Sequence, residues 1–199
     1  MIKIQFGSGN NMLDGWENTD LPRTDVRKKL KYPDGSVDFI FHEHMIEHLD
    51  EVDGYNFMKE CFRILKDGGV MRICCPSIDG FIHVYENWDE VPEDFKKRHV
   101  NKTRFINDLT LGEAVNYEGK KFSFDGGIVK QKNSPAWHKY LYDKEDFKDK
   151  LTRIGFSEIV FTQKHVSGHE ELRKLERRYG HGIFLYFPPE MDIVLEATK

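Results

Sequence analysis

The chain has 199 residues, a formal net charge of −4 and an aromatic content of 13%. Its length suits one domain with a sizeable core, and the aromatic content argues against disorder. The net charge gives no electrostatic reason to expect a nucleic-acid partner. No apolar run reaches membrane-spanning length, no signal-peptide pattern begins the chain, and the three cysteines lack metal-site or disulfide-framework spacing. We therefore expect a cytoplasmic protein without a membrane partner.

The first feature is a short strand that runs into a glycine-containing turn. Residues 2–6 alternate apolar and polar side chains as a strand does, and Gly7-Ser8-Gly9 follows directly. Asp20 lies in a second short extended segment, residues 17–21. Glycines let the backbone approach a ligand closely, and an acid at the tip of a neighbouring strand can accept hydrogen bonds from a ribose diol. The pattern predicts a nucleoside-binding crevice at the carboxyl ends of parallel strands.

Two other interpretations of this stretch remain open. A polar turn between two strands is the simpler one, because asparagines follow the second glycine. A dinucleotide site of the dehydrogenase type is disfavoured, since Met12 occupies the place of the third glycine and residues 10–15 are too few for the usual helix.

The next segments have the order of a βαβ unit. Turn residues at 32–36 precede an almost wholly apolar strand at 37–41, the kind that is covered on both faces in a parallel sheet. Apolar side chains recur at helical spacing over 52–66, and 70–75 reads as another strand. We expect the crossover between these strands to be right-handed.

The second half of the chain returns to a regular pattern after an irregular stretch. Residues 77–135 carry aromatics among charges and glycines without a dominant period, which predicts an inserted, substrate-covering lid. Helices are predicted over 143–155 and 169–178. Strands are predicted over 157–164 and 191–197, paired antiparallel to each other.

Taken together, the signals resemble the class I S-adenosylmethionine-dependent methyltransferases, in particular a small, methyltransferase type 11-like branch. The matching blocks are FGSGNNMLDGWENTDL, DVRKKLKYPDGSVDFIFHEHMIEHL, FMKECFRILKDGGVMRICCP, HKYLYDKEDFKDKLTRIGF and MDIVLEATK. The resemblance implies a single α/β domain over 1–199 with a Rossmann-like, doubly wound, mostly parallel sheet. It further implies an antiparallel last strand and a first helix that is shortened here, with the lid insert at 77–135.

The resemblance also implies a cofactor, S-adenosyl-L-methionine, and the residues that hold it. The glycine loop would lie against the methionine part, Asp20 would take the ribose hydroxyls, and Asp25 would face the adenine amino group. Glu43 would line the pocket near the sulfonium. The complete set of predicted cofactor-binding residues is Gly7, Gly9, Asn10, Asn11, Asp20, Leu21, Asp25, Val26 and Glu43.

Methyl transfer from a sulfonium needs alignment and exclusion of water more than it needs a catalytic signature. Histidine is the natural base near neutral pH, so His138 is the preferred catalytic residue, followed by His83 and Glu43. Tyr85 and Trp88, together with His138, are predicted to contact the acceptor, although the aromatics equally fit the core of the insert. Each histidine also has a structural interpretation.

A metal interpretation of His42, His44 and His48 is weaker, because the fold already explains this segment as a strand-to-helix turn, and we expect no metal. The favoured function is methyl transfer to a small-molecule or glycan-like acceptor. Alternatives are a module that binds S-adenosylmethionine or S-adenosylhomocysteine without turnover, and a sulfonium-cleaving enzyme. The sequence predicts no oligomeric state.

Overall fold

A computed structural model describes residues 1–93, 95–96, 101–111, 114–115, 121–122, 138–177 and 191–199; within 107–111, 114–115 and 121–122 only the backbone is described. The strands are β1 (Lys3–Phe6), β2 (Glu17–Thr19), β3 (Val37–Glu43), β4 (Leu65–Pro76), β5 (Ala114–Val115), β6 (Lys121–Phe122), β7 (Glu158–Thr162) and β8 (Asp192–Thr198). The α-helices are α1 (Glu51–Ile64), α2 (Ile78–Glu86), α3 (Lys102–Leu111) and α4 (Lys144–Ile154). Within these ranges, no helix has the length and apolarity needed to cross a bilayer.

Six strands form one mixed sheet in the order β2-β1-β3-β4-β8-β7. The first four run parallel, and β8 pairs antiparallel with both β4 and β7. This arrangement confirms the predicted α/β fold with its antiparallel last strand. Because β1, β2 and β3 are parallel, the residues that follow them meet at one edge of the sheet.

Helices α1 and α4, both predicted from the sequence, cover one face of this sheet. Asp50 caps α1 by accepting the Asp53 amide at 2.9 Å, and Asp143 caps α4 by accepting the Asp146 amide at 2.7 Å. Helix α1 ends at Ile64, slightly earlier than predicted, because Leu65 already pairs with β3. The main core lies beneath the two helices and includes Phe57, Cys61, Ile64, Phe147 and Leu151.

The opposite face of the sheet has no long helix within the described residues. Residues 10–16 form a loop rather than a shortened helix, and the Leu13 side chain packs there with Phe41 of β3. Val70, Leu172 and Leu175 complete the buried part of this smaller apolar cluster. In a doubly wound sheet, helices usually cover this face. Here the loop at residues 10–16 and the segment that contains Leu172 and Leu175 cover it instead.

The helix predicted over 169–178 is wrong. The structure has one 3-10 turn, Glu170–Leu172, after which Lys174 adopts a left-handed backbone with φ 59°. Glu176, which lies within the predicted helix, is buried. The cause is tertiary, since the Glu176 carboxylate is drawn into an ion pair beneath the segment; Arg178 lies outside the described residues.

That ion pair is centred on Arg72, which is fully buried in β4. Its guanidinium lies 2.6 Å from Glu176 Oε1 and 2.6 Å from Glu196 Oε1. It also donates to the carbonyls of Val166 at 2.9 Å and Gln163 at 3.2 Å. A buried charge is tolerable only when it is paired and hydrogen-bonded, so Arg72 fixes where the 163–176 segment lies.

We expect Arg72→Met to lower the free energy of unfolding by about 3–5 kcal/mol, because two carboxylates are left buried without their cation. Urea denaturation of the full chain measures this loss. Arg153→Met is the matched control, since the exposed Arg153 pairs with the exposed Asp149 and should change stability by about 1 kcal/mol or less. Equal midpoints for the two variants would contradict the role given to Arg72.

A second apolar cluster lies beyond the carboxyl end of β4. Phe81 and Val84 of α2 pack there with Phe105 of α3 and with Met191. Except for Met191, the buried residues of this cluster belong to the predicted insert. Residues 94, 97–100, 112–113, 116–120 and 123–137 lie outside the described ranges, and a lid over 77–135 stays a prediction.

Candidate functional site

The turn after β1 is built by glycines in left-handed backbone conformations. Gly7 has φ 65° and Gly9 has φ 51°, a region that other residues rarely adopt. The Ser8 amide donates to the Thr19 carbonyl at 3.1 Å, and the Asn11 amide donates to the Ser8 carbonyl at 2.8 Å. The turn is therefore fixed against the end of β2, at the carboxyl edge of the sheet.

Asp20 lies directly beside this turn. Its Oδ2 accepts the Gly9 amide at 2.9 Å, and its Oδ1 accepts the Leu21 amide at 2.7 Å. A carboxylate has about four acceptor positions, so these two bonds leave capacity for further donors. Asp20 and Asn10 are both exposed at this edge. The structure thus brings together the glycine turn and the acid that the sequence paired with it.

One side of Gly7 is closed by Met45, which the sequence reasoning did not assign to the site. A β-carbon placed on Gly7 would lie 2.8 Å from the Met45 β-carbon, closer than real contacts allow. Met45 belongs to the turn that follows β3, so the two turns touch each other. A ligand can therefore approach the backbone at Gly7 only from the side away from Met45.

Gly7→Ala should destabilise the chain more than Gly35→Ala does. Both glycines have positive φ, so each substitution carries a strain of about 1–2 kcal/mol. Only Gly7 also meets a neighbour, since nothing lies within 4 Å of the Gly35 β-position. Overpacking should add about 1–3 kcal/mol at Gly7. Urea melts of both variants check the difference, and equal losses would show that Met45 does not constrain the turn.

Asp25, predicted to face the adenine, is held by a neighbouring cation. Arg27 Nε lies 2.8 Å from Asp25 Oδ1, and Arg27 Nη2 lies 2.8 Å from Oδ2. The hydrogen bonds from Arg27 lower the pKa of Asp25 to about 2. Val26 packs partly buried against the main core. The roles predicted for Asp25 and Val26 remain predictions.

Glu43 ends β3 and is 2% exposed. Its Oε2 accepts the Arg177 amide at 3.1 Å. The Arg177 side chain in turn donates to the Met12 carbonyl at 3.2 Å. The segment anchored by Arg72 thus ends at the glycine loop, and Glu43 lies where that segment meets the sheet edge.

A row of alternating charges continues from β8 into the turn after β3. Lys164 Nζ lies 2.7 Å from Asp192 Oδ2, which in turn lies 3.4 Å from His44 Nε2. His44 Nδ1 lies 3.4 Å from Glu47 Oε1. His48 Nε2 lies 3.8 Å from the same Glu47 oxygen. The side chains of Asp192 and Glu47 are almost completely buried. The row of charged groups therefore extends from the protein interior to the edge of the site.

Burial and charge act in opposite directions on these groups. Burial alone would lower the pKa of His44, but the carboxylates of Asp192 and Glu47 outweigh it and raise the pKa to about 10. Burial would raise the pKa of Glu47, but His44, His48 and His138 lower it to about 2. Burial likewise opposes ionisation of Asp192, yet His44 and Lys164 hold its pKa below the usual range.

His138 is brought to this row by backbone hydrogen bonds. The Glu47 carbonyl accepts the Lys139 amide at 2.7 Å and the Tyr140 amide at 3.3 Å. The ring centroids of His48 and His138 are 5.3 Å apart. Sequence reasoning placed His138 near the site but missed Glu47; the signal available was an acid flanked by Ile46 and His48 in a turn at the ligand edge.

Comparisons with known proteins agree with this architecture. Residues 10–73 match the family described as methyltransferase domain. A probable S-adenosylmethionine-dependent methyltransferase of Mycolicibacterium smegmatis is 42% identical over 60 residues, which are 28% of this chain and 23% of that protein. The chain thus aligns with about a quarter of that relative's length.

Solved structures show the same fold at low identity. A SAM dependent methyltransferase from Archaeoglobus fulgidus has a TM-score of 0.51 at 16% identity, covering 99% of this chain and 85% of the other. The CurJ carbon methyltransferase has a TM-score of 0.52 at 13% identity, covering 100% and 48%. The chain therefore has the fold of these methyltransferase structures, and its residues 10–73 are similar to the methyltransferase domain family. The predicted resemblance to S-adenosylmethionine-dependent methyltransferases is confirmed, and the comparisons support the predicted enzyme class and cofactor.

Two other histidines lie apart from the row of alternating charges. His42 is fully buried on the other side of β3, with its ring 5.4 Å from that of Phe57, and burial lowers its pKa to about 4. His83 lies exposed on α2, with Nδ1 3.2 Å from Asn87 Nδ2. The catalytic role predicted for His83 stays a prediction.

The aromatics predicted to contact the acceptor lie in the second cluster. Trp88 packs against Phe95 and Phe105, with ring centroids 6.3 and 5.7 Å away. Tyr85 is 36% exposed and lies beneath Lys102, whose Nζ is 4.8 Å from the ring centroid. The surroundings of Trp88 fit the interpretation as insert core, whereas Tyr85 presents an accessible ring. Contact with an acceptor remains a prediction for both.

Proposed function

We propose that this methyltransferase domain binds S-adenosyl-L-methionine at the glycine turn and transfers its methyl group to a small-molecule or glycan-like acceptor. The observation that carries the proposal is the hydrogen bond from the Gly9 amide to Asp20. It holds an exposed carboxylate beside a bare backbone turn at the carboxyl edge of parallel strands, where nucleoside ligands bind in open α/β sheets. The relative from Mycolicibacterium smegmatis supports the reaction class.

The residues at this edge fit an adenosyl sulfonium. The turn at Gly7–Gly9 offers backbone without side chains to the methionine part, and Asp20 has acceptor capacity for a ribose diol. Glu43 places a buried carboxylate next to these strand ends, and its negative charge favours a cationic sulfur. Because the sulfur becomes neutral after transfer, this attraction is lost in the product, which favours its release.

The chemistry needs an acceptor aligned with the methyl carbon. A lone pair of the acceptor forms the new bond to that carbon while the carbon–sulfur bond breaks and S-adenosylhomocysteine leaves. The acceptor's proton must leave as well. We propose His138 as the catalytic residue that contacts the acceptor. It lies with His48 beside the turn that touches Gly7 through Met45. Glu43, bonded to the Arg177 amide, is the weaker proposal for this role.

Asp20→Ala should lower the affinity for S-adenosylmethionine at least tenfold, or about 1.4 kcal/mol, because the ribose loses its acceptor and the Gly9 amide its brace. Isothermal titration calorimetry measures the dissociation constant. Asp67→Ala is the control, since this exposed acid lies at the amino end of β4, on the opposite edge. An unchanged affinity in Asp20→Ala would remove the carboxylate from the site.

His138→Ala should reduce turnover by about 10²–10⁴-fold while changing the dissociation constant for S-adenosylmethionine less than about threefold. Release of S-adenosylhomocysteine against pooled small-molecule and glycan acceptors measures turnover. His169→Ala is the control, because this exposed histidine contacts Phe39, away from the site edge. Cofactor binding with no release from any pool by the wild-type chain would instead support a binding module without turnover.

A further inference from the structure

The Glu47 carboxylate is the unusual group of this site. It is fully buried, and neither of its oxygens forms a hydrogen bond within the described residues. Two imidazoles lie at ion-pair distance from it, with His44 Nδ1 at 3.4 Å and His48 Nε2 at 3.8 Å from Oε1. A buried carboxylate without hydrogen bonds is costly unless it is paired or coordinates a metal ion. Both of these nitrogens lie beside Oε1, so Oε2 of Glu47 has acceptor positions left for a further cation.

Two histidines lie in position to share such a partner. Glu47, His48 and His138 each offer one ligand atom, and these atoms all lie within 4.8 Å of one another. Bonds from zinc to histidine nitrogen or carboxylate oxygen are about 2.0–2.2 Å, so ligands of one ion lie roughly 3–4 Å apart. Side-chain rotations that shift the ligand atoms by about 1 Å would bring all three onto a single ion.

The backbone already organises this set. Glu47 and His48 are consecutive in the 3-10 turn Ile46–His48, and the Glu47 carbonyl accepts the Lys139 and Tyr140 amides that follow His138. His44 acts as a positioning residue, because it contacts Glu47 through Nδ1 and Asp192 through Nε2. The side chain of His48 is 26% exposed, which gives the site an approach from outside.

We propose that Glu47, His48 and His138 form a binding site for one divalent cation of the zinc type. Two imidazoles and one carboxylate are a donor set that suits such a borderline cation, and three protein ligands leave a coordination position open. This proposal departs from the expectation from sequence that the chain has no metal site.

A neighbouring group of similar composition is a weaker site. His44, Cys74 and Asp192 also place their ligand atoms within 4.8 Å of one another. The ammonium of Lys164, however, lies 2.7 Å from Asp192 Oδ2 and already supplies positive charge there. Burial also raises the pKa of the Cys74 thiol, which disfavours the thiolate that metals bind. The group around Glu47 is therefore the better candidate for a cation site.

The site also narrows the acceptor, an extension that rests on the proposed function. A cation with an open position binds an acceptor oxygen and lowers the pKa of its hydroxyl. The hydroxyl proton leaves to solvent, the oxygen forms the new bond to the methyl carbon, and the carbon–sulfur bond breaks to release the neutral thioether. We therefore infer that the acceptor bears a hydroxyl group. Its oxygen would use a lone pair to attack the methyl carbon while the cation stays bound.

The test is titration of the untagged, chelator-stripped full chain with CoCl₂, followed by visible absorption, and with ZnCl₂, followed by calorimetry. We expect one equivalent to bind. Glu47→Gln, His48→Ala and His138→Ala should each weaken binding at least tenfold, whereas His169→Ala should bind as the wild-type chain does. The proposal would be overturned if no metal bound, or if metal bound weakly without saturating at one equivalent. Unchanged binding in Glu47→Gln would also overturn it.

Further measurements on the same samples separate this result from folding and from cofactor binding. Circular dichroism identifies a variant that fails to fold, and a second folded ligand variant then decides the question. Titration with S-adenosylmethionine tests the proposed function by itself. If the cofactor binds and the metals do not, the cation site alone is wrong. If stoichiometric metal binding persists without cofactor binding, the cation site stands and the proposed function is wrong.

Discussion

The convergence of parallel strand ends is the constraint on which the site depends. Because β1, β2 and β3 are parallel, the glycine turn, Asp20 and the turn at residues 44–48 lie at the same edge of the sheet. The contact between Gly7 and Met45 then joins two of these turns. Residues far apart in sequence thus come together at one site, and the row of alternating charges from Lys164 to Glu47 ends beside it.

The face of the sheet without long helices is held by charge as well as by apolar packing. Arg72 replaces part of a conventional core with a paired guanidinium, which binds the 163–176 segment through side chains and carbonyls. Such a pair contributes definition of position more than net stability, because both charges lose their hydration. As a consequence, Arg177 is held in a fixed position against Glu43 and Met12 at the site.

Local chemistry made much of this fold predictable. The strand, helix and strand from Val37 to Pro76 follow from periodicity, and α4 follows from its Asp143 cap and the glycine after Ile154. The pairing of Gly9 with Asp20 followed from the order of signals together with the resemblance. The 169–178 segment was not predictable, since its helical pattern is overridden by a partner, Arg72, about a hundred residues earlier. Glu47 was missed because sequence gives no measure of burial, and its chemistry depends on His138 from another segment.

Amide chemical shifts of the full chain, followed by two-dimensional nitrogen–proton NMR during titration with S-adenosylmethionine, test the central claim most directly. The account predicts saturable shifts concentrated at residues 7–11 and 20–21, with smaller changes in the turn at 44–48. Shifts confined to other parts of the fold, or no saturable shifts at all, would contradict a cofactor site at the carboxyl edge of β1 and β2.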